Sequence, residues 1–208
     1  MKKENRITKT RVGLALPVAL LMAANGWSAD TRVTNYIDEN GQPNKMDCLL
    51  IDAAYLAQTT HATVVNTNAS CLVVNDTLEY SGHFHLTASD VTFIISDKAK
   101  FTINYNSNDN NNALDVLGNI KIFGQKNQAG SLIVNETGSN YSRGLSATGK
   151  IQIYGGHVTV TSNARDAIWA NGDIDIYGGY ISATGAAGNT YVGIKSETGN
   201  INVNWANS

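Results

Sequence analysis

Four stretches of the chain carry one alternation of apolar and polar positions. Residues 113–124 read ALDVLGNIKIFG, residues 144–156 GLSATGKIQIYGG, residues 167–179 AIWANGDIDIYGG and residues 193–205 GIKSETGNINVNW. In the last three, two β-branched residues flank a polar one: Ile151 and Ile153 around Gln152, Ile174 and Ile176 around Asp175, Ile201 and Val203 around Asn202. A period of two is that of a strand with one buried face, so the apolar residues are expected inside and their polar neighbours outside. The glycines that open these strands, Gly118, Gly149, Gly172 and Gly199, lie 31, 23 and 27 residues apart. Spacings of this size, with no helical pattern between, predict an all-β solenoid whose stacked turns bury their apolar sides against one another. Ile153 is then expected directly beside Ile176.

Upstream, CLVVN, TLEYSG, HFHLTA, VTFIIS and AKFTINY (within residues 71–105) read as further short strands separated by turn residues. Only residues 47–58, DCLLIDAAYLAQ, read as a helix, with Leu49, Ala53 and Leu56 on one face and Asp47 as N-cap. Its expected role is a short N-terminal capping helix over the open end of the solenoid. Residues 30–46 read as an irregular segment and residues 47–205 as one domain. The last repeat ends before a second strand, so the final edge is expected either to accept another chain in edge-to-edge self-association or to lie under Trp205.

Residues 2–11 hold five basic side chains and are followed by the apolar run VGLALPVALLMAA. That is the pattern of a secretory signal peptide, residues 1–29, with cleavage expected after Ala29. The run is too short for a permanent membrane span. Export implies a periplasmic or extracellular location, and there a Cys48–Cys71 disulfide is favoured over two free thiols. Without residues 1–29, 10 of the 15 basic and 16 of the 17 acidic side chains remain, a formal charge of −6. Such a balance gives no electrostatic footprint for nucleic acid or anionic lipid.

The order LEYSGHFHLTASDVTFIISDKAKFTI, then NNALDVLGNIKIFG, then DAIWANGDIDIYGG resembles a bacterial carbohydrate-binding domain family, similar in shape to polysaccharide lyases, over roughly residues 70–205. The resemblance implies a single-stranded right-handed parallel β-helix that binds plant-type or acidic polysaccharide, with calcium held by acidic residues at its corners. This chain departs from the family at those corners. Only Asp166 stands in place, and its counterparts are Asn112, Arg143 and Val192. No cofactor is therefore expected, and Asp166 is the one candidate for a calcium ligand.

The alternation places Phe123, Tyr154 and Tyr177 outside in successive repeats, with His157 and Tyr180 after the glycine pairs. Trp169 is expected outside in a column with Asp115, Ser146 and Lys195. A row of rings offers apolar faces to sugar rings, while neighbours such as Asp175 and Lys195 hydrogen-bond the hydroxyls. The simpler alternative is structural, since rings in register on adjacent strands gain about 0.5–1.5 kcal/mol each without a ligand. Trp169, an isolated indole, is the best single candidate for binding.

Catalytic readings have thinner support. Asp173 and Asp175 are two apart on one strand, which puts their carboxylates roughly 6–7 Å apart, near the lower limit for an inverting glycosidase. A solvated strand face is the simpler and favoured explanation. Lys150 falls beside Asp173, without the acidic cluster that a metal-assisted β-elimination needs. His83 and His85 project to one side and suit a transition metal, but the sequence shows no third ligand in reach. A non-catalytic carbohydrate-binding protein, a structural or adhesive surface solenoid, and a lyase-like or glycosidase enzyme follow in that order.

Overall fold

A computed structural model describes residues 30–58, 64–106, 108–188 and 190–204; the expected signal segment and Trp205 lie outside the described residues. The chain opens with a hairpin, β1 (Thr31–Ile37) and β2 (Pro43–Ile51), then one helical turn, α1 (Ala53–Leu56), and β3 (Val64–Thr67). From there strands come in threes. β4 (Cys71–Val74), β5 (Thr77–Ser81) and β6 (His83–Leu86) are followed by β7 (Asp90–Ile95), β8 (Lys100–Tyr105) and β9 (Leu114–Val116). Next come β10 (Asn119–Gly124), β11 (Ser131–Glu136) and β12 (Leu145–Ala147), then β13 (Ile151–Ile153), β14 (His157–Ser162) and β15 (Ile168–Ala170). β16 (Ile174–Ile176), β17 (Tyr180–Thr184), β18 (Ile194–Ser196) and β19 (Ile201–Val203) complete the order.

Each triplet adds one strand to each of three sheets. The long sheet runs β1-β2-β4-β7-β10-β13-β16-β19, a five-stranded sheet β17-β14-β11-β8-β5, and a six-stranded sheet β18-β15-β12-β9-β6-β3. All neighbours are parallel except β1 and β2, so the long sheet is mixed. The fold is thus all-β with stacked parallel sheets, an arrangement compatible with a solenoid. The predicted register holds: Ile120, Ile151, Ile174 and Ile201 form one column, and Ile122, Ile153, Ile176 and Val203 another. Apart from Ile201 and Val203, which are exposed on β19, the residues of these columns pack like on like and with Phe84, Phe93 and Phe101 make one continuous core. Gly149 sits so close to the backbone below it that a Cβ would come within 2.8 Å of the Gly118 carbonyl, which explains the glycine at that step of the repeat. Gly179, with φ at +88°, turns the chain from the long sheet into the five-stranded one.

Two expectations about the N-terminal region are corrected. Residues 47–58 are not a helix: β2 runs to Ile51, and α1 spans only Ala53–Leu56, capped by Asp52, whose Oδ1 accepts from the Tyr55 N–H at 2.7 Å. Leu49 and Ile51 enter the main core, while Cys48 and Leu50 are buried on the opposite face. A strand buried on both faces is a continuous apolar run, which sequence periodicity does not separate from a helix. Residues 30–46, read as irregular, hold β1 and the start of β2. There Thr34 is buried and Val33 is 67% exposed, so hydropathy carried no strand signal.

The Cys48–Cys71 disulfide is present, with Cα atoms 4.6 Å apart. It joins β2 to β4 on the outer face of the long sheet, and so fixes the hairpin rather than a lid. The hairpin lies over that face. Tyr36 packs edge-on against Phe123 with ring centroids 5.0 Å apart, Gln125 Nε2 donates to the Asn35 carbonyl at 2.8 Å, and Lys121 pairs with Glu39 at 2.7 Å.

Candidate functional site

The residues singled out from the sequence fall on three different faces. Phe123, Tyr154, Tyr177 and Asp175 lie on the long sheet or at its end, Tyr180 on the five-stranded sheet, and Trp169 and Lys195 on the six-stranded sheet. The turn at the glycine pair separates Tyr180 from Tyr177, so no single row contains them all. Tyr180 is exposed and leans on His157 at 5.7 Å, tilted by 46°.

On the long sheet the rings form a ladder rather than a flat row. Phe123 and Tyr154 stack at 4.7 Å with planes 5° apart, and Tyr154 and Tyr177 stack at 4.7 Å with planes 9° apart. Stacking at strand spacing makes each ring cover its neighbour's face, and a sugar approaching from solvent meets ring edges. Phe123 is withdrawn altogether, being 3% exposed under Tyr36. Burial is the first cause that raises the Tyr154 phenol to about 12, followed by the Tyr177 phenol beside it. In this arrangement the rings pack face to face on one another.

The six-stranded face concentrates different chemistry at its loop edge. Register places Asp115, Ser146, Trp169 and Lys195 in one column, as the repeat predicted. The Trp169 indole is half-buried: the Arg143 guanidinium lies 4.2 Å from its ring centroid, and Nε1 donates to Glu197 at 3.1 Å. Glu197 also pairs with Lys195 at 2.9 Å, and these two donors, Lys195 first, hold its carboxyl below the usual range. Trp169 thus has structural partners that the sequence did not reveal. Beside it, Arg165 stands 5.9 Å from the ring of Tyr141 and 5.7 Å from that of Tyr191. Tyr141 is 68% exposed. Burial is the main cause that lowers Arg143, with the neighbouring Arg165 charge adding to it. The Nε groups of both arginines lack a hydrogen-bond partner.

Asp166, the calcium candidate of the sequence, belongs to this corner. One carboxylate oxygen accepts from the Val192 N–H at 3.1 Å, and the other faces Arg143 Nε at 3.7 Å. A cation would have to displace a guanidinium, and Asp166 joins no group of three candidate ligands among the described residues.

A residue that sequence reasoning passed over organises the corner. Glu136, fully buried at the end of β11, accepts from the Gly138, Asn163 and Ala164 N–H groups and from the hydroxyls of Ser142 and Ser162 at 2.6–3.3 Å. It thereby clamps the two loops that carry Tyr141, Arg143 and Arg165. A buried carboxylate needs such a set of donors. Its only sequence signal is a charged residue at an inward position of a strand.

The paired aspartates are both engaged. Asp173 takes Lys150 Nζ at 2.6 Å and the Asn200 N–H at 2.9 Å, and these bonds, Lys150 first, hold its carboxyl below the usual carboxylate pKa. Asp175 accepts from Asn202 Nδ2 at 2.8 Å. A glycosidase acid needs the opposite shift. His83 and His85 gain the third neighbour that the sequence lacked: Asp115, one strand over in β9, faces His85 across 3.9 Å. Burial pushes the His83 imidazole down. A cavity of about 550 Å³ adjoins His83, lined also by Tyr105, Asp109 and Asn111.

Comparison with known proteins finds no matching family model, no similar curated protein and no similar solved structure. The functional reading rests on the chain's own geometry.

Proposed function

We propose that this is an exported, non-catalytic carbohydrate-binding protein, a single-stranded right-handed parallel β-helix that holds acidic polysaccharide at the Tyr141–Arg165–Trp169 corner. The observation that carries the reading is the pair of guanidinium groups set against aromatic rings beside an exposed tyrosine. A ring face receives the apolar side of a sugar, and a guanidinium receives a carboxylate in a planar, forked geometry. Lys195 adds a third cation in the same region. The basic and apolar pattern of residues 1–24 supports export. The Asp173 carboxyl, held below its ordinary pKa by Lys150 and the Asn200 N–H, is ionised rather than poised as a general acid, which supports a binding over a hydrolytic role.

Affinity electrophoresis in gels containing pectic or other uronic-acid polymers tests this reading. The native chain is expected to be retarded, and Tyr141→Ala with Arg165→Ala to migrate freely while keeping its melting temperature. Retardation that survives both changes, or none for the native chain on any acidic or neutral glycan, overturns it.

A structural or adhesive surface solenoid is the second reading, favoured by one observation: Ile201 and Val203 on β19 are 46% and 56% exposed. Edge-to-edge association through β19 would cover them. Sedimentation that depends on concentration and is lost in Val203→Lys would favour it over the glycan reading.

A further inference from the structure

We propose that His83, His85 and Asp115 form a binding site for a divalent transition metal of the zinc type. One ligand atom from each of the three lies within 4.8 Å of the others. The two imidazoles project from the same side of β6 and stack at 5.3 Å with planes 18° apart, and Asp115 stands beside His85 in register on β9. Two observations point to an ion between them rather than to a packed polar cluster. The Nε2 atoms of both histidines are buried without a hydrogen-bond partner, although His83 is only 5% exposed. An orphaned buried nitrogen costs about 1–3 kcal/mol, and two adjacent ones are unusual in a native interior. His85 Nε2 and Asp115 Oδ2 face each other across 3.9 Å, too far for a hydrogen bond.

That gap is close to what coordination requires. Zinc ligands lie about 2.0–2.1 Å from the metal, hence about 3.4 Å from each other in a tetrahedron, so the widest pair, within 4.8 Å, needs to close by at most about 1.4 Å. Side-chain torsions supply that. The carboxylate is already aimed: Asn112 Nδ2 donates to Asp115 Oδ1 at 2.9 Å, leaving Oδ2 toward the histidines, and Asn112 Oδ1 is itself held by the Arg143 N–H at 2.9 Å. Such outer hydrogen bonds orient metal ligands. Two imidazoles and one carboxylate suit zinc and its first-row neighbours, whereas calcium and magnesium prefer oxygen alone. Three protein ligands leave a fourth position, and the cavity beside His83 has room for it to be water. The three ligands are not among the residues the carbohydrate reading uses, while Asn112, which aims Asp115, occupies the position that answers to Asp166 in the repeat.

The test is titration of the full chain, purified without a polyhistidine tag and stripped with EDTA, with zinc chloride in a calorimeter and with cobalt(II) by visible absorption. The expected result is one ion per chain, with cobalt bands of nitrogen and oxygen ligation and a melting temperature raised by zinc. Asp115→Asn, which keeps the side-chain shape, and His85→Gln are each expected to weaken zinc at least tenfold; Asn112→Ala is expected to weaken it about tenfold or more. His157→Gln is expected to bind as the native chain does, and excess calcium not to compete. No zinc uptake by the native chain, or unchanged affinity in Asp115→Asn, overturns the proposal. Displacement of zinc by calcium overturns it too, since it would reveal an acidic surface site instead.

Discussion

The outer face of the long sheet has two ends that differ in one respect. At one end Leu50 of the hairpin's own β2 and, beside it in register, Val73, Ile94 and Phe123 form a column that the hairpin covers, and all are buried. At the other, the same column continues as Tyr154 and Tyr177, half-exposed, with the ring stacking unchanged at 4.7 Å. Side-chain chemistry follows the cover. Hydrocarbon occupies the positions that the hairpin shields, and phenols occupy those where water reaches the ring edge and can hydrate a hydroxyl. Repetition alone therefore does not mark a binding surface. A column of aromatics on a parallel stack is what strand spacing produces, and a ring face is free only where stacking ends or a loop departs.

The largest effect is expected from cutting the covered end. Phe123→Ala should lose about 3–5 kcal/mol of stability in urea unfolding, because it opens a cavity between the hairpin and the sheet, while Tyr177→Ala should lose only about 1 kcal/mol. Equal losses would mean that the hairpin contributes nothing as cover. Next, replacing Cys48 and Cys71 by Ala should lower stability by about 2–4 kcal/mol and increase binding of a hydrophobic dye, since the hairpin is then tethered by weaker contacts. A smaller effect is expected from Lys121→Ala. Its pair with Glu39 is well exposed, so removing it should change stability by about 1 kcal/mol or less, and less still in high salt.

The last effect is absent at neutral pH and emerges only in alkali. The Tyr154 and Tyr80 phenols have pKa values raised from 10.0 to about 12, each chiefly by burial. A raised value means that the neutral phenol is the form the fold prefers, so the contribution is complete below pH 10 and is lost as pH climbs through about 12. Stability should be flat to pH 10 and then fall, and Tyr154→Phe should shallow that fall. A chain equally stable at both limits would show that the ladder is open to water along its length.

Much of the parallel stack was legible beforehand because its signal is local and repeated. Ile151, Ile174 and Ile201 share a column in the structure for the reason they share a position in the repeat. The hairpin was not legible. β1 buries Thr34 and exposes Val33, and β2 is buried on both faces only over Cys48–Ile51, so neither shows an alternation of apolar and polar residues in its sequence. At the candidate corner, Trp169 and Lys195 were readable from the repeat, whereas Tyr141, Arg165 and Glu136 were not. They sit in or beside loops of unequal length, and no period connects them.

Taken alone, the amino-acid order determined the strand class, the parallel register of the repeats and the cysteine pairing, because each follows from periodic side-chain placement or from the count of thiols. Which outward positions are covered, which rings lose their faces to one another, and which distant groups meet were decided only by the tertiary structure. Asp115 reaches the two histidines across 30 residues of chain because β9 lies beside β6. That neighbourhood comes from the stacking of strands, and no local pattern encodes it.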